Sequence, residues 1–257
     1  MTVAYQLARA LGKPVQWCTM PVRVIDRYGV DLSRPCVVAP THISHLEPFV
    51  LSMILRHEVR WMARTEFYRS RLLAFGLDAV GAFPVCRRGY ARPALREAIH
   101  LLERGERVGV FPEAGVARRQ YSAMRGGPIK SGACFLAMYA QVPIVPVALI
   151  GTYAMNRVST WRPFRHAAVH LAIGAPIEPE ALAETAGQRR RQRLALQTQL
   201  RSAYPAMYRD LLTLDGVDDR HDLHPHEADD PARVQVDPYA AAGHATSHPS
   251  ASPAPTV

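Results

Sequence analysis

Short, unbroken apolar runs, each closed by a proline or a polar cluster, constrain this chain more than any other feature. Val37-Val38-Ala39-Pro40 is one, residues 107–112 are a second, and residues 142–149 a third. A short run without polar alternation reads as a strand buried on both faces, and such strands need helices to cover them. Helical spacing recurs between the runs, at residues 49–55, 71–77, 93–102 (Leu95, Ile99 and Leu102, with Pro93 in the first turn) and 130–140. Residues 59–63 and 80–88 read as further strands, 168–174 alternates like a last one, and 179–214 is largely helical and rich in arginine. Pro143 and Pro146 suggest that the strand over 142–149 lies at an edge or carries a bulge. Strands alternating with helices predict an α/β domain with its functional loops at strand ends.

At 257 residues, 48% of them apolar, the chain suffices for one sizeable α/β domain. No run approaches the ~18 consecutive apolar residues of a membrane span. Residues 1–16 lack the basic-then-apolar layout of a secretory signal, so a cytoplasmic setting is expected. Cys18, Cys36, Cys86 and Cys134 are scattered without metal-ligand spacing, which argues against a disulfide framework or a metal site. Three segments emerge. Residues 1–30 form a helical segment ending near Pro21, either packed on the domain or lying at a membrane surface through Val3, Leu7, Leu11, Val15, Trp17 and Met20. Residues 31–215 form the main domain, and residues 216–257, poor in large apolar side chains, read as a disordered tail. Residues 1–215 carry 29 basic against 15 acidic side chains, net +14, and the tail 2 against 7, net −5, giving +9 overall. A basic body implies an anionic partner: phosphorylated substrate, acidic lipid or nucleic acid.

Three strand ends share one form. The first holds His42 and Glu47, the second Arg87 and Arg88, the third Glu113, Gly115, Arg118 and Arg119. A histidine base, a carboxylate partner and anion-binding arginines suit transfer of an acyl group to a hydroxyl on a phosphorylated acceptor.

Thr41-His42-Ile43-Ser44-His45-Leu46-Glu47 resembles the first block of the glycerolipid acyltransferases, the 1-acylglycerol-3-phosphate acyltransferase family, where histidine and, after four residues, usually aspartate recur. Gly81-Ala82-Phe83-Pro84-Val85-Cys86-Arg87 is similar to the second block, Phe111-Pro112-Glu113-Ala114-Gly115 to the third, and Val142-Pro143-Ile144-Val145-Pro146-Val147 to the fourth, in family order. The resemblance implies a single domain with a mixed central sheet flanked by helices. It implies an acyl thioester of coenzyme A or acyl carrier protein as donor, a lysophospholipid hydroxyl as acceptor, no resident cofactor or metal, and no nucleic-acid partner. It makes His42 the base and Glu47 its partner, and lets Arg87, Glu113 and Gly115 help hold the acceptor phosphate. Pro143 and Pro146 take structural or acyl-pocket roles. Arg118 and Lys130 join as phosphate candidates, and the lipid product implies a peripheral place on the cytoplasmic face of the cell membrane.

Chemistry supports the assignment. A hydroxyl attacks a thioester at neutral pH only if a positioned base takes its proton, an effect worth ~100- to 10,000-fold. Residues five apart in one helix point about 140° apart, so His42 is expected in the turn and Glu47 just inside the helix. Two departures stand out: Glu47 replaces aspartate, and Glu113-Ala114-Gly115-Val116-Ala117-Arg118 replaces Glu-Gly-Thr-Arg, leaving room for a different acceptor. Other readings of the same residues are a capping box, with Ser44 capping the helix and Glu47 reaching back to its amide, and a His42, His45 and Glu47 metal site. A non-catalytic relative that binds anionic membrane or nucleic acid through the arginine-rich body is the remaining alternative.

Overall fold

The structure, a computed structural model, describes residues 3–85, 92–117, 121–152, 168–214 and 217. Along the chain run α1 (Val3–Thr19), β1 (Val22–Asp26), β2 (Val37–Pro40), α2 (Glu47–Ile54), β3 (Val59–Arg64), α3 (Arg71–Ala79) and β4 (Phe83–Val85). Then follow α4 (Arg92–Glu103), β5 (Arg107–Gly109), α5 (Gly132–Ala140), β6 (Ile144–Ile150), β7 (Val169–Ile173) and α6 (Ala186–Leu212). Single 3₁₀ turns occupy Thr65–Arg69 and Ala123–Arg125.

Successive side chains of a strand face opposite sides of its sheet, and both sides here are covered. Val37 and Ala39 of β2 and Ile144, Ala148 and Ile150 of β6 pack into the core beneath α4, α5 and α6. Val38, Val145, Val147 and Leu149 pack into the opposite core with Leu51 of α2 and Trp61 of β3. Among the described residues the strands form one seven-stranded sheet, ordered β1-β7-β6-β2-β5-β3-β4. Neighbours are parallel except for the antiparallel β6 and β7, so the sheet is mixed.

This order positions the site. β2 and β5 lie side by side, yet the chain leaves β2 through α2 on one face and β5 through α5 on the other. Where neighbouring strands send their connections to opposite faces, a crevice opens at their carboxyl ends.

Two expectations change. The strand expected over 142–149 is β6, which begins after Pro143; it is central and fully buried, between β7 and β2, and not an edge. Pro146 is tolerated because its missing N–H falls opposite Gly174, just past Ile173, the last residue of β7, while its carbonyl still accepts from Gly174 N (2.9 Å). Residues 1–30 also contain the strand β1 after the helix. On α1, Tyr5 and Arg9 turn inward, donating to the carbonyls of Ser52 (3.0 Å) and Arg56 (2.6 Å), while Leu7 and Leu11 remain exposed. Met20 is in the core with Val50 and Val169, so it takes no part in a lipid-facing side.

The long helix α6 starts at Ala186, later than its sequence suggests, because Thr185 and Gln188 form a capping box there. Its Tyr204 is wholly buried and donates to the Ala39 carbonyl at 2.8 Å, tying the helix to β2 just before the site. The expected tail, residues 216–257, lies outside the described residues apart from Val217.

Candidate active site

β2 ends at Pro40, and Thr41 hands the chain over to a turn. Thr41 N donates to the Val147 carbonyl (2.9 Å) while its hydroxyl accepts from Leu149 N (3.1 Å), fastening the turn to β6. His42 follows in the turn, and Glu47 is the first residue of α2, with Pro48 in the first turn where its missing N–H costs nothing.

Glu47 is completely buried, and four donors converge on its carboxylate. Oε2 faces His42 Nδ1 at 2.6 Å. Oε1 accepts from Ile43 N (2.8 Å), Ser44 N (3.0 Å) and Thr152 Oγ1 (3.0 Å). An ionised carboxylate only accepts, so the His42 proton belongs on Nδ1 and the lone pair on Nε2. Burying such a charge is tolerable only with this degree of pairing.

The capping-box reading is half right. Leu46, not Ser44, is the N-cap of α2, and the Ser44 hydroxyl accepts from Leu46 N (3.2 Å) instead of capping the helix. The reach of Glu47 back to the Ser44 amide is present. One oxygen secures the turn and the other holds the imidazole, so the two roles share one side chain.

The loop after β5 clamps the backbone of His42 from both sides. His42 N donates to Glu113 Oε2 at 2.5 Å, and Ala117 N donates to the His42 carbonyl at 2.6 Å. The other oxygen of Glu113 accepts from Ser122 Oγ (3.1 Å) and Ala123 N (2.6 Å). Both oxygens are thus engaged by groups of the protein, and one of them holds the backbone of His42. The His42 ring lies 4.2 Å from Phe111 (centroids, 30°), which stacks on Trp61 at 5.6 Å. Trp61 Nε1 in turn donates to Ser52 of α2 (2.9 Å). His45 stands edge-on to His42 at 6.1 Å, its pKa held below the ordinary imidazole value by partial burial and by His42.

Burial pushes the Glu113 carboxyl up to about 7, against the pull of the Ala123 and His42 amides. The folded protein therefore keeps this proton over a range in which the unfolded chain, with the ordinary value of 4.5, has lost it. The resulting stabilisation is complete below pH 4.5 and is lost as pH rises through about 7. Relative to Glu113→Gln, the wild-type unfolding free energy is expected to fall by on the order of 3 kcal/mol across that window in urea titrations. A difference that stays constant with pH would refute the assignment.

The remaining sequence candidates are placed unevenly. Arg87 and Arg118 lie outside the described residues. Lys130 is exposed beside the third-block loop, its backbone N–H donating to the Pro112 carbonyl at 2.7 Å. Gly115 is not the left-handed residue of that loop: Ala114 is, with φ 61°, while a Cβ built on Gly115 meets nothing within 4 Å. Thr152 was missed, although it follows the Gly151 turn at the end of an apolar strand and so obeys the same strand-end pattern. Phe111 and Ser122 carried no signal beyond their apolar or loop context.

The acyltransferase family matches residues 21–150, from β1 to the end of β6, half of the chain. The chain belongs to the acyltransferase family. This acyltransferase is 27% identical over 179 residues to a 1-acyl-sn-glycerol-3-phosphate acyltransferase of Bacillus subtilis, covering 69% of this chain and 83% of that protein. It is 26% identical over 145 residues to the chloroplastic 1-acyl-sn-glycerol-3-phosphate acyltransferase BAT2 of Brassica napus, but spans only 41% of that longer protein. The acyltransferase also shares its fold with the crystal structure of the 1-acyl-sn-glycerophosphate (LPA) acyltransferase, PlsC, from Thermotoga maritima. The TM-score is 0.52 at 20% identity, over 77% of this chain and 79% of that one.

Proposed function

We propose that this acyltransferase moves a fatty acyl chain from a thioester of coenzyme A or acyl carrier protein to the free hydroxyl of a lysophospholipid such as 1-acylglycerol-3-phosphate. The observation that supports it most is the 2.6 Å contact between His42 Nδ1 and the buried Glu47, at the carboxyl end of β2 beside β5. In this reading Nε2 of His42 takes the proton as the acceptor oxygen attacks the thioester carbonyl. Collapse of the tetrahedral adduct breaks the carbon–sulfur bond, and the imidazolium returns its proton to the departing thiolate. Glu47 holds the productive tautomer and stabilises the imidazolium. Arg87, Arg118 and Lys130 supply positive charge for the acceptor phosphate, for which arginine's planar fork suits two phosphate oxygens at once.

Membrane contact belongs to the same proposal. Leu7 and Leu11 of α1, Phe67 of the adjoining 3₁₀ turn, and Leu73 and Phe75 of α3 are exposed apolar side chains on neighbouring elements. No helix among the described residues is long and apolar enough to cross a membrane, so the attachment proposed is peripheral, on the cytoplasmic face.

A labelled acyl-CoA and acyl carrier protein assay, with a panel of lysolipids presented in anionic vesicles, tests the reading. It is expected to yield a new acyl ester only with an acceptor present, and the protein is expected to float with the vesicles in a density gradient. Thioester hydrolysis at the same rate without acceptor would make the protein a thioesterase. Protein left at the bottom of the gradient would remove the membrane contact.

A further inference from the structure

From the geometry at the end of β6 we infer that Thr152 is a third member of the His42–Glu47 pair, a positioning residue that anchors the carboxylate from the strand beside β2 on the side away from β5. The inference rests on His42 acting as the base. Thr152 lies two residues beyond the span shared with the family, 105 positions from Glu47 in sequence, and is completely buried. Its hydroxyl donates to Glu47 Oε1 at 3.0 Å.

The chain is shaped to deliver it there. Gly151 adopts φ 92°, and a Cβ at that position would stand 2.0 Å from the Ala168 carbonyl oxygen. Only glycine permits the turn that aims the next side chain into the site. The two other donors to Oε1, the amides of Ile43 and Ser44, come from the same turn as His42 and move with it. Thr152 is the donor that ties the carboxylate to a separate strand, making the orientation of His42 a property of the sheet as well as of the local turn. A group that acts only through Glu47 affects how the imidazole is held and how its positive charge is balanced, not how substrate binds.

These roles have a kinetic signature. Removing the hydroxyl concentrates the carboxylate charge on Oε2, which favours the imidazolium, so more of the enzyme is idle at low pH. Among the described residues the titratable groups about His42 are Glu47 from α2, Glu113 from the loop after β5, and His45 from the turn itself. Glu113 and His45 are left unchanged by substitution at residue 152.

The test is steady-state acyl transfer by the full-length Thr152→Val and Thr152→Ser proteins over pH 5 to 9, alongside His42→Ala, each first checked by thermal melting. For Thr152→Val, nearly isosteric, kcat is expected to fall about 10-fold with KM within about twofold, and the acid limb of the rate profile to move up by about half a pH unit. Thr152→Ser, which restores the hydroxyl, is expected to recover most of the rate and the original limb. A folded Thr152→Val with wild-type kcat and an unmoved limb overturns the inference, as does failure of Thr152→Ser to recover while folded. Wild-type turnover by folded His42→Ala would instead remove the underlying reading of His42.

Discussion

Glu47→Gln is expected to lower kcat for acyl transfer about 10,000-fold while leaving the fold in place. Glutamine has nearly the same shape, and its carbonyl can still accept from Ile43 N, Ser44 N and Thr152 Oγ1. The amide nitrogen then faces His42 Nδ1, where Glu47 Oε2 now stands at 2.6 Å. An N–H there demands a lone pair on Nδ1, which moves the imidazole proton to Nε2 and occupies the atom proposed to accept from the substrate hydroxyl. His42→Ala, which deletes the proposed base, is expected to reach a similar floor, and the double variant to fall little further, as for two residues that act as a unit. Steady-state kinetics with a circular dichroism check decide it. Activity of Glu47→Gln within tenfold of wild type would refute the coupling.

A large stability effect is expected at Gly109 on β5. A Cβ there would lie 2.1 Å from the Trp61 ring, well inside any tolerable contact. Trp61 has nowhere to go: it is 1% exposed and its Nε1 is held by Ser52 at 2.9 Å. Gly109→Ala is therefore expected to cost about 3 kcal/mol or more, since overpacking in a dense interior forces backbone or rotamer strain. Gly115→Ala, where the added carbon meets nothing within 4 Å, is expected to stay within about 0.5 kcal/mol. Urea unfolding of both variants measures the contrast, and equal effects would show that Trp61 is not the constraint.

The two glycines show how far the residues alone carry the site. Gly115 matches a family block by letter, but the left-handed position is Ala114, a conformation that costs a non-glycine residue about 1 kcal/mol or more. Spacing within a block is visible in sequence; the dihedral that each residue takes is not. Glu113 shows the same limit. The family resemblance assigns it to the acceptor phosphate, and the structure adds that its carboxylate is engaged by His42, Ser122 and Ala123. Those partners could not be read from the third block, because His42 is 71 residues away in sequence.

What the sequence determined by itself is local: the order of strands and helices after β1, the two-faced burial of the apolar runs, and the meeting of His42 with Glu47 across one turn. These follow from periodicities and contacts within a few residues, which the order of side chains records directly. Only the tertiary structure decided that β6 is central, that the loop after β5 clamps the His42 backbone, and that Thr152 reaches Glu47 from 105 residues away. Each depends on which strands become neighbours, and that is settled by how the two faces of the sheet are covered, a property of the whole chain that no single stretch carries.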